Sequence, residues 1–212
     1  MPSTTELQQR AQNGDATAQR NLGEDFDFGR NVKQDYVEAA KWYQFAADQG
    51  NAIAQNNLGS LYQYGHGVAT NYNKAVELYT KSANQGFVMA ENNLGYMYDF
   101  GLGVPTNEAT ADSWYQRAAE QGYPEAMLNL GINNVEEKGV VSDLPQGYMW
   151  LQMARIFAER NQDAKLKQKA LHLLYVLRKH MTSEELETGE RLANEKYYKF
   201  TGHPPLWDSE FR

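Results

Sequence analysis

The 212-residue sequence contains no cysteine. Disulfides, thiol nucleophiles and cysteine-ligated metals are therefore excluded. Positive charge is scarce: 20 Lys and Arg stand against 27 Asp and Glu, a formal net charge of −7. A sequence-independent grip on nucleic acid needs a basic surface, so no nucleic-acid partner is expected. No apolar run approaches the roughly 18 residues that a membrane span requires. The first ten residues lack both a basic n-region and an apolar h-region, so no signal peptide is read there. The expected location is cytoplasmic, and periplasmic or secreted only for a chain whose leader has been removed. Also missing are a glycine loop after a strand, which would cradle phosphate, and a nucleophile-elbow frame.

What is present is organised. Tyrosine is abundant, 14 against 8 Phe and 4 Trp. Charge is segregated: residues 155–180 hold seven basic and two acidic side chains, a local +5, which leaves −12 for the rest. Above all, the chain repeats. Leu-Gly recurs at Leu22-Gly23, Leu58-Gly59, Leu94-Gly95 and Leu130-Gly131, always 36 residues apart. Gln49-Gly50, Gln85-Gly86 and Gln121-Gly122 keep the same step, as do Val32, Val68, Val104 and Val140 and the trio Ala39, Ala75 and Ala111. Several independent ladders of one period define a repeat protein.

Each unit reads as two helices. Ala54, Leu58 and Tyr62, four residues apart, place one apolar face on a first helix that begins near Asn51. Gly65-His66-Gly67 ends it, since glycine accepts the left-handed conformation of a helix terminus. A second helix follows from about Tyr72 to Asn84, with Ala75, Leu78, Tyr79, Ser82 and Ala83 inward. Residues 4–13 match the second helix of a preceding unit, so the chain opens on half a repeat. Near the other end Leu166, Ala170, Leu173, Leu177 and Met181 form an apolar stripe that can cover the last repeat. Thr182 and Glu185 have the spacing of a capping box, with Thr182 at N-cap, and a last helix is expected to run to about Phe200.

The pattern A-x-x-x-L-G-x-x-Y-x-x-G-x-G-V…A-x-x-x-Y-x-x-A-A-x-Q-G resembles the Sel1-like repeat, a relative of the tetratricopeptide repeat. Four copies span residues 15 to about 158. The first has Asn31 in place of the second loop glycine; the fourth has Glu137 in place of the first, and Asn134 where the others carry Phe26, Tyr62 and Tyr98. The resemblance implies an all-α fold, a right-handed α/α superhelical solenoid of TPR-like helix pairs with C-terminal capping helices. The expected division is a capping half-repeat at 1–14, repeats at 15–50, 51–86, 87–122 and 123–160, capping helices at 161–200 and a tail at 201–212.

Candidates for chemistry are few. His66, His172, His180 and His203 lack the i, i+4 spacing of a metal pair, and structural or solvent roles are expected for them. The carboxylate pairs Glu24/Asp25 and Glu136/Glu137 read as solvated helix faces. No catalytic residue, metal or cofactor is expected. A binding surface is a different matter. At about 100° per residue, Thr17, Asn21, Glu24 and Phe28 fall opposite the core of the first helix. Their equivalents are Ile53, Asn57, Ser60 and Tyr64; Met89, Asn93, Tyr96 and Phe100; and Glu125, Asn129, Ile132 and Glu136.

First helices line the concave wall in the family, so the resemblance makes this stripe a partner-binding groove. Its candidate residues are Asn21, Phe28, Asn56, Asn57, Ser60, Tyr64, Asn92, Asn93, Tyr96, Phe100 and Asn129. Asparagine can grip a peptide backbone through its donor and acceptor, or tie neighbouring helices together; both readings stand at this point. Aromatics in a row on a surface suit partner binding, with packing against the next repeat as the alternative. Tetratricopeptide clamps for a C-terminal carboxylate use Lys and Arg at such places. Here Glu24, Asp27, Asp99, Glu125 and Glu136 surround the stripe, with Arg20 the exception, so a basic or polar-aromatic protein or peptide segment is the expected partner. The expected role is that of a monomeric, non-enzymatic interaction adaptor. An immunity protein or inhibitor of a toxin is the alternative, and an enzyme the remote one.

Overall fold

The structure, a computed structural model, describes residues 4–135 and 143–204. Glu136, Glu137, Val140 and the tail from Pro205 onward lie outside the described residues. Among those described, eleven helices account for all regular structure: α1 (Thr4–Gln12), α2 (Ala16–Phe28), α3 (Tyr36–Asp48), α4 (Ala52–Tyr64), α5 (Tyr72–Ala83), α6 (Val88–Phe100), α7 (Glu108–Glu120), α8 (Pro124–Asn133), α9 (Leu144–Arg160), α10 (Ala164–Arg178) and α11 (Ser183–Thr201). The chain divides into two compact units, Met1–Ala111 and Asp112–Arg212.

In the first unit each helix packs on the next, from α1 through α6, and α2 also touches α4. This helix-pair stacking is that of an α-solenoid. The sequence places the boundaries. Asp15, Asp35, Asn51 and Asn71 cap their helices by accepting from backbone amides two or three residues ahead, which satisfies donors that a helix start leaves open. Gly29, Gly65 and Gly101 close α2, α4 and α6 in the left-handed conformation. The loops then fold alike: Asp35, Asn71 and Asn107 donate their amides to the carbonyls of Phe26, Tyr62 and Tyr98 at 2.9, 2.8 and 2.9 Å.

The Leu-Gly pair has a mechanical reason. Leu22 and Leu58 are buried, while Gly23 and Gly59 leave room for the flat rings of Tyr43 and Tyr79 on the paired helix. A Cβ at Gly23 would stand 2.5 Å from the Tyr43 ring, and one at Gly59 2.9 Å from the Tyr79 ring. The second loop glycine serves contact between repeats. A Cβ on Gly103 would lie 2.5 Å from the Tyr72 carbonyl carbon, and one on Gly67 would collide with the backbone of Tyr36 and Val37. In the first repeat Asn31 takes that left-handed place, with φ of 57°.

In the second unit α9 packs against α8, α10 and α11 and is buried along most of its length, from Tyr148 to Ala158. The α8 helix is shorter than its counterparts because Asn134, standing where they have an aromatic, ends it as a C-cap. Thr182 and Glu185 form the expected capping box on α11. One detail differs from the expected stripe on α10: Ala170, Leu174 and Leu177 are buried and Leu173 only half so. The steps of four and three centre the apolar face on Leu174, which the contact with α9 selects.

Candidate partner-binding surface

The first helices of the repeats present the expected stripe in the first unit. Phe28, Tyr64 and Phe100, each the last residue of its helix, are 58, 62 and 57% exposed. Helix termination explains this: a glycine cap follows each ring at once and turns the chain away, so no later turn covers it. Tyr96 is also exposed, and its ring lies 4.5 Å from that of Phe100.

An open cavity of about 460 Å³ sits beside Phe28 and Tyr64 in this unit. Its lining joins stripe residues Asn57, Ser60, Met89 and Asn93 with groups that come from elsewhere. Asp27 faces it from α2. Gln34 and Tyr36 come from the loop and start of α3, and His66 from the loop after α4. The His66 ring stacks on Tyr36 at 4.8 Å and 23°, and stands 6.0 Å from Tyr64. The sequence implies a structural or solvent role for His66; its ring forms part of this aromatic wall.

Of the two roles that the sequence left open for the asparagines, the tie between neighbouring helices is seen directly. Asn56 is 3% exposed. Its Oδ1 accepts from Asn93 Nδ2 at 3.0 Å, and its Nδ2 donates to Asn57 Oδ1 at 3.1 Å, so it ties α4 to α6 at the floor of the cavity, which it also lines. Asn21, Asn57, Asn92 and Asn93 remain half-buried with part of each side chain accessible. Asn129 is half-buried on α8, in the second unit.

Charge at the cavity is settled by specific partners. Arg20 reaches Glu24 at 2.9 Å and Arg30 reaches it at 4.0 Å, which leaves Glu24 compensated. Asp27 makes no ion pair among the described residues; its Oδ2 accepts from the Tyr43 hydroxyl at 3.0 Å. Burial pushes the Asp27 carboxyl above its ordinary value, and the Tyr43 hydrogen bond only partly opposes this. Burial, then the neighbouring Asp27, drives the Tyr43 phenol upward as well. Asp25 corrects the sequence reading of a solvated Glu24/Asp25 pair, because it is buried and accepts from Asn31 Nδ2 at 3.4 Å. The loop turn that brings Asn31 back over α2 covers it.

Sequence reasoning missed Gln34, Tyr36 and His66 as lining residues, since none lies on a first helix. The signal was available: Arg30, His66 and Leu102 are equivalent loop positions that differ, so only the second repeat places an imidazole there. Among the described residues no group of three His, Asp or Glu could hold a metal ion, and no helix is long and apolar enough to cross a membrane.

Stacked helix pairs with these glycine, tyrosine and glutamine positions define an α-solenoid repeat protein. The profile of the Sel1 repeat family matches residues 16–51, 52–87, 88–123 and 124–155, and the chain belongs to that family. A Sel1 repeat protein from Oxalobacter formigenes is 33% identical over 59% of this chain and 95% of its own length, with a TM-score of 0.54. A protective antigen of uropathogenic Escherichia coli with the same repeat fold is 27% identical over 92% of this chain, which spans only 48% of that protein, at a TM-score of 0.53. An immunity protein from Pseudomonas aeruginosa shares the fold at 18% identity and a TM-score of 0.53, over 95% of this chain and 80% of its own. No curated protein matches this sequence.

Proposed function

We propose that this chain is a non-catalytic protein-interaction adaptor whose first unit holds a partner segment along the Phe28–Tyr64–Phe100 row. The observation that carries the reading is the exposure of three rings at equivalent places, 36 residues apart, beside a polar cavity. Large aromatics left in water at regular spacing are costly unless a partner covers them. Between them, the accessible amides of Asn57 and Asn93 suit the peptide backbone of an extended segment. Membership of the Sel1 repeat family agrees with a protein partner.

A dedicated inhibitor of one toxin or enzyme is the competing reading, prompted by the fold shared with the Pseudomonas immunity protein. Affinity separates the two. One partner held at about 1 nM favours the inhibitor, and several at about 1 μM the adaptor.

The test is affinity capture from the source lysate with wild type and with Phe28→Ala/Tyr64→Ala/Phe100→Ala, a variant confined to exposed side chains. Partners retained by wild type and lost by the variant, while both melt cooperatively, are the expected result. Equal retention by the two proteins would remove the site from this row.

A further inference from the structure

We infer that the cavity beside Asp27 is a pocket for one arginine side chain of the partner segment. This rests on the binding surface proposed above and names the chemistry of one of its positions.

Three features converge. The first is a carboxylate with no cation in ion-pair contact among the described residues. Asp27 lines the cavity, and its one direct side-chain partner among the described residues is the neutral Tyr43 hydroxyl at 3.0 Å. A half-buried carboxylate in that situation gains from an incoming positive charge, because lost hydration has not been replaced by a countercharge. The second is an aromatic wall. Tyr64, His66 and Tyr36 stand in series, with neighbouring ring centres 6.0 and 4.8 Å apart. Such faces attract a cation and stack well with a planar guanidinium. The third is a supply of acceptors: Asn57, Ser60 and Gln34 line the same space and can take the N–H groups that a single carboxylate leaves over.

The chain already shows this chemistry in miniature on the rim. The guanidinium of its own Arg30 lies 4.7 Å from the centre of the Phe28 ring while reaching Glu24 at 4.0 Å. That is a cation between an aromatic face and a carboxylate, with Phe28 next to Asp27 in the chain. Arg30 is committed there and does not reach Asp27 within ion-pairing distance. Lysine fits less well, since its compact ammonium is more strongly hydrated and cannot stack as a plane.

The charged groups bearing on the site are Asp27, Glu24, Arg30 and His66. Glu24 holds Arg20 and Arg30 directly, whereas Arg30 and His66 act on Asp27 only through space, with no cation in ion-pair contact with it among the described residues.

The experiment titrates full-length protein with three capped pentapeptides, Gly-Ser-X-Ser-Gly, where X is arginine, citrulline or lysine. Binding is read by amide chemical shifts. The arginine peptide is expected to perturb residues around Asp27, Tyr64 and His66. Citrulline, its neutral isostere, should bind about tenfold more weakly or less, and lysine in between. Asp27→Asn should erase the preference for arginine over citrulline. In that variant the Tyr43 hydroxyl can still donate to the side-chain amide carbonyl, so folding should survive. Tyr64→Leu, which leaves the Asp27–Tyr43 bond untouched, should weaken the arginine peptide several-fold.

Equal binding of arginine and citrulline peptides would overturn the pocket while leaving the aromatic row to stand on the capture experiment. So would shifts confined to other parts of the molecule, or no binding by any peptide. Loss of partners in the capture experiment together with arginine-selective shifts supports both readings. Retained partners with arginine-selective shifts would reject the row and leave an arginine site that the partner does not use, which overturns the pocket as a partner site.

Discussion

Gln49 donates to Gln19 at 2.7 Å, and one repeat later Gln85 donates to Gln55 at 2.8 Å. Gln19 and Gln55 in turn donate to the carbonyls of Ala11 and Ala47. The rings of Tyr43 and Tyr79 pack against Gly23 and Gly59. Their hydroxyls reach Asp27 and Gln63, equivalent positions, at 3.0 and 2.7 Å. The first unit is thus built from contacts that recur every 36 residues. In the second unit the fourth repeat replaces them at corresponding places. Leu151 occupies the tyrosine position against Gly131, Gly147 stands in the alanine position, and Met149, Trp150, Met153 and Ile156 fill α9 with apolar bulk. A repeat stacked between like repeats can reuse one set of polar and flat contacts. A terminal repeat meets α10 and α11, which are unlike any repeat, and is held by shape and hydrophobic area instead.

The largest expected effect tests whether repeat-to-repeat contact in the first unit depends on bare glycine. Gly67 has φ of 69°, and a Cβ there would run into the backbone of Tyr36 and Val37, which cannot step aside. Gly202, at the end of α11 in the second unit, has φ of 72° and nothing within 4 Å. Gly67→Ala should cost about 3 kcal/mol and Gly202→Ala about 1 kcal/mol, because backbone conformation is common to both and crowding belongs to the first alone. Chemical denaturation of the two variants measures this. Equal losses would mean that the loop, not the contact, needs the glycine.

A smaller contrast compares the helix-pair seams directly. Added methyls at Gly23 and Gly131 would stand 2.5 and 2.6 Å from Tyr43 and Leu151. The distances are alike, but the obstacle differs. Tyr43 is fully buried with its hydroxyl held by Asp27, so its rigid ring cannot turn aside. At Gly131 the nearest atoms are Cδ2 and Cγ of Leu151, which can shift, and the Leu151 backbone nitrogen stands farther off at 3.2 Å. Gly23→Ala should therefore cost about 2–3 kcal/mol and Gly131→Ala about 1 kcal/mol. A greater loss at Gly131 would show that the second unit is the more tightly packed, and would reverse the comparison.

These seams were legible in the sequence because a period exposes whatever is repeated. The two-helix unit, its glycine stops, the opening half-repeat and the capping box at Thr182 all follow from the ladders and from local capping chemistry. Less legible was anything that depends on helix rotation without a repeat to check it. On α10 the expected stripe included Leu173, and packing on α9 favoured Leu174. The binding surface divides in the same way. Phe28, Tyr64 and Phe100 were visible as equivalents, and the structure exposes them. Tyr36 and His66 were not, since they meet only when the Gly65–Gly67 loop folds back over the start of α3. Asn56 shares its residue type with Asn57 but is buried at the floor of the cavity, a difference of one 100° step that composition cannot show.

The smallest effect concerns ionisation, and a matched pair of half-buried acids sharpens the comparison once more. Burial raises the carboxyl of Asp27 in the first unit, and burial with the nearby Asp163 raises that of Glu125 in the second. A carboxyl whose folded value lies above its unfolded one, near 3.8 for Asp and 4.5 for Glu, binds its proton more firmly when folded. Its ionisation therefore costs stability. The cost is absent below the unfolded value, grows as pH rises through the window up to the folded value, and is complete above it. Asp27→Asn and Glu125→Gln should each raise stability slightly at pH 7, by under about 1 kcal/mol once solvent screening is counted, read as a small rise in melting temperature. The gain should fade as pH falls through the raised folded value and be gone by the unfolded one, 3.8 for Asp27 and 4.5 for Glu125. Only Asp27→Asn should also abolish the arginine preference. If Asp27→Asn destabilises at pH 7, the charged bond from Tyr43 outweighs burial, and the carboxylate is a structural brace. If both acids behave alike in melting but differ in peptide binding, the first unit maintains an ionised group at a cost to its own stability, which is what a recognition site requires and a packing contact does not.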